Sequence, residues 1–128
     1  MRSRTWTAGV MLAVVAIVVI VPAAGRMPAG VAAEASASGV TETTLLDNER
    51  VMMIEFVFPA GFKGEEHSAV ADELAYVLEG EFAVVTKGQG KRVLRKGEVE
   101  YASKGTVHYS LNESRKPARV LVVLLKSR

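Results

Sequence analysis

Residues 61–80, GFKGEEHSAVADELAYVLEG, place a histidine and a carboxylate six residues apart, just ahead of an apolar run, and the rest of the chain is arranged around them. Side chains alternate between the two faces of a strand, so His67 and Ala69 face the same way. Glu73 shares that face if the strand continues without a bulge. The segment therefore predicts a polar site built into a β-sheet.

The residues on both sides of this stretch also have strand character. Residues 50–58, RVMMIEFVF, alternate between two faces, and Pro59 ends the run because proline cannot donate to a strand ladder. Further short apolar runs, separated by glycine-containing turns, follow at 74–78, 82–86, 98–102, 106–112 and 118–126. Short strands at regular spacing predict an all-β sandwich or barrel domain over residues 40–128.

The last of these runs contains six consecutive apolar residues, 120–125, which indicates burial on both faces of the strand. In a domain of this size one face can meet the core, and a second subunit best explains the other. Small chains bury a lower fraction of their surface, which makes a stabilising partner more useful. We therefore predict a homodimer.

The amino terminus has a different composition. Arg2 and Arg4 precede an uncharged, strongly apolar stretch, so residues 1–25 predict a hydrophobic helix that is either a cleaved signal peptide or a transmembrane anchor. Small residues before Glu34 favour cleavage, whereas the length of the uncharged stretch favours an anchor. In both cases we expect export of the remainder to an extracytoplasmic location, with membrane contact only through this segment. Residues 26–39, rich in Ala, Gly and Ser, predict a flexible linker.

Composition excludes several classes of function. The chain has no cysteine, so disulfides, a thiol nucleophile and cysteine metal ligands are absent. Acidic and basic residues are equal in number from residue 40 onward, which removes the main electrostatic argument for nucleic-acid binding. No serine lies in a Gly-x-Ser-x-Gly setting, so a serine hydrolase of that type is not expected.

The other histidine, His108, lies far away in sequence. On its predicted strand it shares a face with Thr106, Ser110 and Asn112, and polar residues on an inward face suggest a lined cavity. Two imidazoles and one carboxylate, if brought together, suit Fe(II), and Mn, Ni, Cu or Zn also fit. Taken alone, two histidines far apart in sequence are weak evidence for a metal site, and surface or hydrogen-bonded histidines are the favoured interpretation.

The spacing of these residues resembles the two motifs of the cupins, here those of a small single-domain type. The first motif has the pattern G-x5-H-x-H-x3,4-E-x6-G, and its positions are occupied by Gly61, His67, Ala69, Glu73 and Gly80. The second motif is matched by Gly97, Gly105, His108 and Asn112, with Ser103 where proline is usual. The resemblance implies a jelly-roll β-barrel.

The same resemblance implies that His67, Glu73 and His108 bind a divalent transition metal. Ala69 stands where the family has a second histidine, so one ligand of the usual set is lost. Two alternatives follow. The domain binds a metal through three ligands and binds or transforms a small organic ligand, in the manner of a dioxygenase or isomerase if it is an enzyme. Alternatively, it is a non-catalytic module that binds a small molecule or a protein and has lost metal chemistry through Ala69.

Overall fold

The computed structural model describes residues 34–35 and 38–127, and all regular secondary structure within them is β-strand. The ten strands are β1 Glu34–Ala35, β2 Thr41–Asp47, β3 Val51–Phe58, β4 His67–Ser68, β5 Asp72–Glu79, β6 Glu81–Thr86, β7 Gly90–Arg95, β8 Val99–Ala102, β9 Val107–Leu111 and β10 Ala118–Leu125. The predicted all-β architecture is therefore confirmed.

The amino-terminal predictions fall largely outside the described residues. The hydrophobic helix over 1–25 lies wholly outside them, as does most of the linker over 26–39. Within that linker, β1 pairs with the start of β2. In the part of the chain that the structure describes, no helix is long and apolar enough to cross a bilayer.

The strands form two antiparallel sheets. The six-stranded sheet has the order β1-β2-β3-β10-β5-β8, and the four-stranded sheet has the order β4-β9-β6-β7. From β4 onward the chain crosses repeatedly between the sheets, so strands that are neighbours in sequence often lie on opposite walls. This crossing places the three predicted ligands on both walls, because β4 and β9 belong to one sheet and β5 to the other.

The inner faces of the two sheets pack together at an apolar end. Alternation along β3 and β10 buries Ile54, Val120 and Leu124, each at most 1% exposed. The ring of Phe58 lies 5.0 Å, between centroids, from the rings of both Phe62 and Phe82. Burial of one such side chain stabilises a fold by about 1.5–3 kcal/mol, so this cluster holds the sheets together.

Asn112 closes this end of the barrel with hydrogen bonds. Its amide nitrogen donates to the carbonyls of Phe58 and Lys116, and its side-chain oxygen accepts from the backbone N–H and the hydroxyl of Ser114. The side chain is 1% exposed. It was predicted to line a pocket, and the structure places it where its hydrogen-bonding groups join β3 to the turn before β10.

The structure gives a physical reason for one of the motif glycines, Gly80. It turns β5 into β6 with a φ of 81°, which L-residues with a side chain rarely adopt. A Cβ there would also lie 2.6 Å from the carbonyl oxygen of Pro117. Only glycine fits this hairpin without displacing backbone. The other motif glycines, Gly61, Gly97 and Gly105, also have positive φ.

Candidate metal centre

The structure brings the three predicted ligands together around His108. His67 on β4 lies directly opposite His108 on β9, and the centroids of the two imidazoles are 4.7 Å apart. Glu73 approaches from β5 in the other sheet, with its Oε1 atom 3.3 Å from Nε2 of His108. Two residues from one wall and one from the opposite wall therefore meet inside the barrel.

His108 carries a buried nitrogen that has no hydrogen-bond partner. The residue is 5% exposed, and Nε2 makes no hydrogen bond to any group of residues 34–35 or 38–127, since the approach to Glu73 is close but not directed as one. Leaving a buried polar group unsatisfied costs about 1–3 kcal/mol, so native proteins rarely retain one without a reason. A lone pair directed toward a bound ligand or ion is such a reason.

His67 is oriented by the backbone. Its Nδ1 lies 3.1 Å from the carbonyl oxygen of Glu65, so Nδ1–H donates to that carbonyl. This hydrogen bond selects the tautomer in which Nε2 carries the free lone pair. Metal-binding histidines commonly donate their second ring N–H to a carbonyl in this way. His67 is partly exposed.

The interior shifts the ionisation of both buried groups toward neutrality. Burial raises the pKa of Glu73 to about 7. Burial, together with repulsion from His67, lowers the pKa of His108 to about 4. Between these values the metal-free pair consists of a neutral carboxyl group and a neutral imidazole, although the two atoms lie within ion-pair distance. His108 therefore provides no positive charge that would keep Glu73 ionised.

The donor types fit a divalent transition metal, whereas their present positions fit it only in part. Two imidazoles and one carboxylate with an unpartnered nitrogen are a suitable set. Among residues 34–35 and 38–127, however, no three His, Asp or Glu side chains are already arranged around one point. Coordination by all three side chains would therefore require them to move. His67 and Glu73 are both partly exposed.

Ala69 occupies the place of a missing donor on the same face. Its N–H donates to the carbonyl of Thr106, and its carbonyl accepts from Gly105, so the pairing of β4 with β9 continues beyond Ser68. Alternation then places Ala69 on the face of His67, where it is 4% exposed. It contributes only a methyl group.

The remaining lining residues are partly those predicted and partly new. Thr106 and Ser110 are half-buried, and Ser110 shares the inner face with His108. Thr86 on β6, directly opposite His108 and 9% exposed, was missed. Its alternation with buried Phe82 and Val84 was the available signal. Arg92 and Glu100, also on inner faces, were not predicted as site residues. Arg92 belongs to a basic hairpin with the composition of a solvated turn, and Glu100 lies on β8, whose local pattern does not show that it faces β7.

Replacing Glu73 by glutamine is expected to stabilise the metal-free chain increasingly as pH rises. The pKa of Glu73 rises from 4.5 to about 7 on folding, so its contribution is complete below pH 4.5 and is lost as pH rises through 7. His108 acts in the opposite sense, since its contribution is present above pH 6.5 and is lost as pH falls through 4. Above pH 7, Glu73→Gln should therefore raise the free energy of unfolding by an amount on the order of 2–3 kcal/mol.

Urea unfolding in a chelator at pH 5 and pH 8 measures this effect. The exposed Glu66→Gln variant serves as the matched control and should follow the wild type at both values. A Glu73→Gln variant whose stability runs parallel to the wild type from pH 5 to pH 8 would contradict the assignment.

Comparison with known proteins identifies the same fold. A family model described as a cupin domain matches residues 54–124. No curated protein matches the chain. Among solved structures, an RmlC-like cupin from Shewanella frigidimarina is similar with a TM-score of 0.69 and 20% identity, covering 84% of this chain and 94% of that chain.

Two further solved structures carry different names. KdgF from Halomonas sp. is similar with a TM-score of 0.68 and 22% identity, covering 76% of this chain and 89% of that one. The DMSP lyase DddQ from Ruegeria pomeroyi has a TM-score of 0.64 and 20% identity, covering 69% of this chain and 47% of that one. At these identities the likeness shows the fold alone.

Proposed function

The chain belongs to the cupin family, and we propose that it binds a divalent transition metal through His67, Glu73 and His108 in order to bind or transform a small organic ligand. One observation carries this proposal: Nε2 of His108 is buried without a hydrogen-bond partner and lies beside Glu73 and His67. A metal ion between these side chains would satisfy that nitrogen and restore the charge on Glu73.

The residues of the site have separate roles in this proposal. The hydrogen bond from His67 to the Glu65 carbonyl holds one imidazole in the ligating tautomer. Glu73 must lose its proton to become a ligand, so metal uptake releases a proton below about pH 7. The hydroxyl of Ser110, on the inner face of β9, offers a hydrogen bond to a bound ligand. A bound ion would supply Lewis-acid polarisation of a ligand oxygen or a place for oxygen activation.

Metal analysis of the purified full chain tests the proposal. After reconstitution with Fe, Mn, Ni, Cu or Zn salts and removal of excess ion, we expect about one equivalent of one metal per chain. Clearly substoichiometric content with every one of these metals at neutral pH would contradict it.

A non-catalytic binding module is the second candidate, and Ala69 favours it. The family's motif has a histidine at this position, and here the site keeps three donors rather than four. Under this proposal the barrel binds a small molecule or a protein without turnover. The two proposals differ in whether metal changes ligand affinity, which titration of the loaded and metal-free chain measures. Export of the domain, proposed from residues 1–25, is common to both.

We also propose that a second copy of the chain covers the outer face of the six-stranded sheet. Strand pairing aligns one apolar row across five strands of this face: Leu46, Met53, Val123, Leu74 and Tyr101. The next row includes Leu121, Tyr76 and Val99. Tyr76, Val99 and Tyr101 are 42–55% exposed, so a broad apolar surface is open in the single chain.

Val123→Glu is expected to convert a dimer of the full chain to a monomer, because it puts a charge at the centre of this face. Light scattering at micromolar concentration measures the mass. Val93→Glu is the matched control, since Val93 is 40% exposed but lies on the other sheet. A wild-type monomer, or two variants of the same mass as the wild type, would contradict the proposed dimer.

A further inference from the structure

Arg92 and Glu100 form an ion pair that joins the two sheets on their inner side. Arg92 lies on β7, the edge strand of the four-stranded sheet, and Glu100 lies on β8, the edge strand of the six-stranded sheet. Nη1 of Arg92 is 2.8 Å from Oε2 of Glu100. Arg92 alternates with buried Leu94, and Glu100 alternates with buried Ala102, so both side chains start from the inner faces.

The pair lies close to the candidate metal centre. Glu100 is opposite Ala75 on β5, whereas Glu73 is opposite Ala102. Glu100 and Glu73 are therefore diagonal neighbours on one inner face, with about 7 Å between their Cα atoms. Glu100, which pairs with Arg92, therefore lies next to Glu73 on this face.

Small residues lie next to the two groups. Ala75 and Ala102 flank the carboxylates on the six-stranded sheet, and Gly90 lies opposite Thr86 on the other sheet. A Cβ at Gly90 would meet no heavy atom within 4 Å. The side chains of Glu73 and Glu100 keep 19% and 16% exposure, which shows that solvent reaches this inner surface.

Arg92 uses little of its hydrogen-bonding capacity. Within the part of the chain that the structure describes, its guanidinium makes one hydrogen bond, from Nη1 to Glu100, and its side chain is 57% exposed. Arg119 of the same chain shows what a guanidinium can hold, because it binds both oxygens of Glu55 through Nε and Nη2 and also donates to Glu79 through Nη1. Arg92 has the same fork of Nε and Nη2 without a second carboxylate.

We propose that Arg92 binds the carboxylate of a small organic acid whose other end lies at His67, Glu73 and His108. Arg92 would then bind two carboxylates, those of Glu100 and the ligand, as Arg119 binds those of Glu55 and Glu79. Glu100 positions the guanidinium through Nη1 and, being negatively charged, limits affinity for the ligand. This ligand class deepens the proposed function, because the proposed metal centre is what would bind the other end of the acid.

Calorimetric titration of the metal-reconstituted full chain with malonate, succinate and glutarate, each beside its neutral diamide, tests this assignment. At least one diacid should bind more tightly than its diamide. Arg92→Ala should lower the affinity for that diacid at least tenfold, or about 1.4 kcal/mol, and leave the affinity for the diamide unchanged. Arg92→Lys should be intermediate, because it keeps the charge and loses the fork. Glu100→Gln should raise the affinity for the diacid several-fold. The glutamine keeps a hydrogen-bond acceptor for Arg92 and removes the repulsion between the Glu100 carboxylate and that of the ligand.

Arg95→Ala is the matched control. Arg95 lies on the same strand but the opposite face, where it pairs with Glu81. Its loss should change diacid affinity less than twofold. Equal effects of Arg92→Ala and Arg95→Ala, or diacids that bind no better than diamides, would overturn the inference. Metal content of each variant separates the two claims: unchanged metal with no effect of Arg92→Ala contradicts only the carboxylate site, whereas absent metal contradicts the metal centre.

Discussion

Replacing His108 by alanine is expected to lower the affinity of the full chain for divalent transition metals by more than about 100-fold, since loss of a second-shell partner alone costs roughly 10–100-fold. His108 lies between the other two donors, with its ring centroid 4.7 Å from that of His67 and its Nε2 3.3 Å from Oε1 of Glu73. Without His108, only His67 and Glu73 remain as donors, and they lie on different sheets. Competition with a chromogenic chelator measures the change.

Two further variants provide a control and a change expected to raise metal affinity. Glu66→Gln changes an exposed carboxylate next to His67 and should leave metal affinity unaltered. Ala69→His adds an imidazole on the face of His67 and should tighten binding by about tenfold or more, equivalent to about 1.4 kcal/mol. If Ala69→His had no effect and His108→Ala bound metal like the wild type, the three-donor site would be wrong.

Replacing Asn112 by alanine is expected to lower the free energy of unfolding by about 3 kcal/mol, because buried carbonyls that lose their partner cost about 1–3 kcal/mol each. The amide of Asn112 satisfies the carbonyls of Phe58 and Lys116, and its oxygen holds Ser114. Alanine satisfies none of these groups. Urea unfolding monitored by circular dichroism measures the loss.

Ser110→Ala is the matched control for Asn112. Ser110 lies two residues earlier on the same face and is only half-buried, so its removal should change stability by less than about 1 kcal/mol. Both variants should still bind metal at temperatures where they are folded. An Asn112→Ala variant as stable as Ser110→Ala would show that the buried network contributes little.

Strand positions followed from the sequence because alternation is a local property. The run predicted at 50–58 corresponds to β3 Val51–Phe58, and the run at 106–112 corresponds to β9 Val107–Leu111. Glycine positions were equally readable, since a hairpin such as that at Gly80 needs a positive φ. Each of these features depends on residues that are close together in the chain.

Features that depend on strand pairing were not readable from local pattern. The contact between Glu73 and His108 joins two sheets, and only the resemblance to a family suggested it. The ion pair of Arg92 and Glu100 was missed because no local signal shows that two edge strands face each other. Asn112 has the same alternation as Ser110, and only the position of the turn before β10 decides that its amide is used by the backbone.

Anomalous diffraction from crystals of the metal-reconstituted chain tests the central claim most directly. We predict a single strong peak at the absorption edge of the bound metal, inside the barrel and about 2.0–2.2 Å from a nitrogen of His67, a nitrogen of His108 and an oxygen of Glu73. A peak coordinated by other residues, or no peak inside the barrel at full reconstitution, would contradict the account.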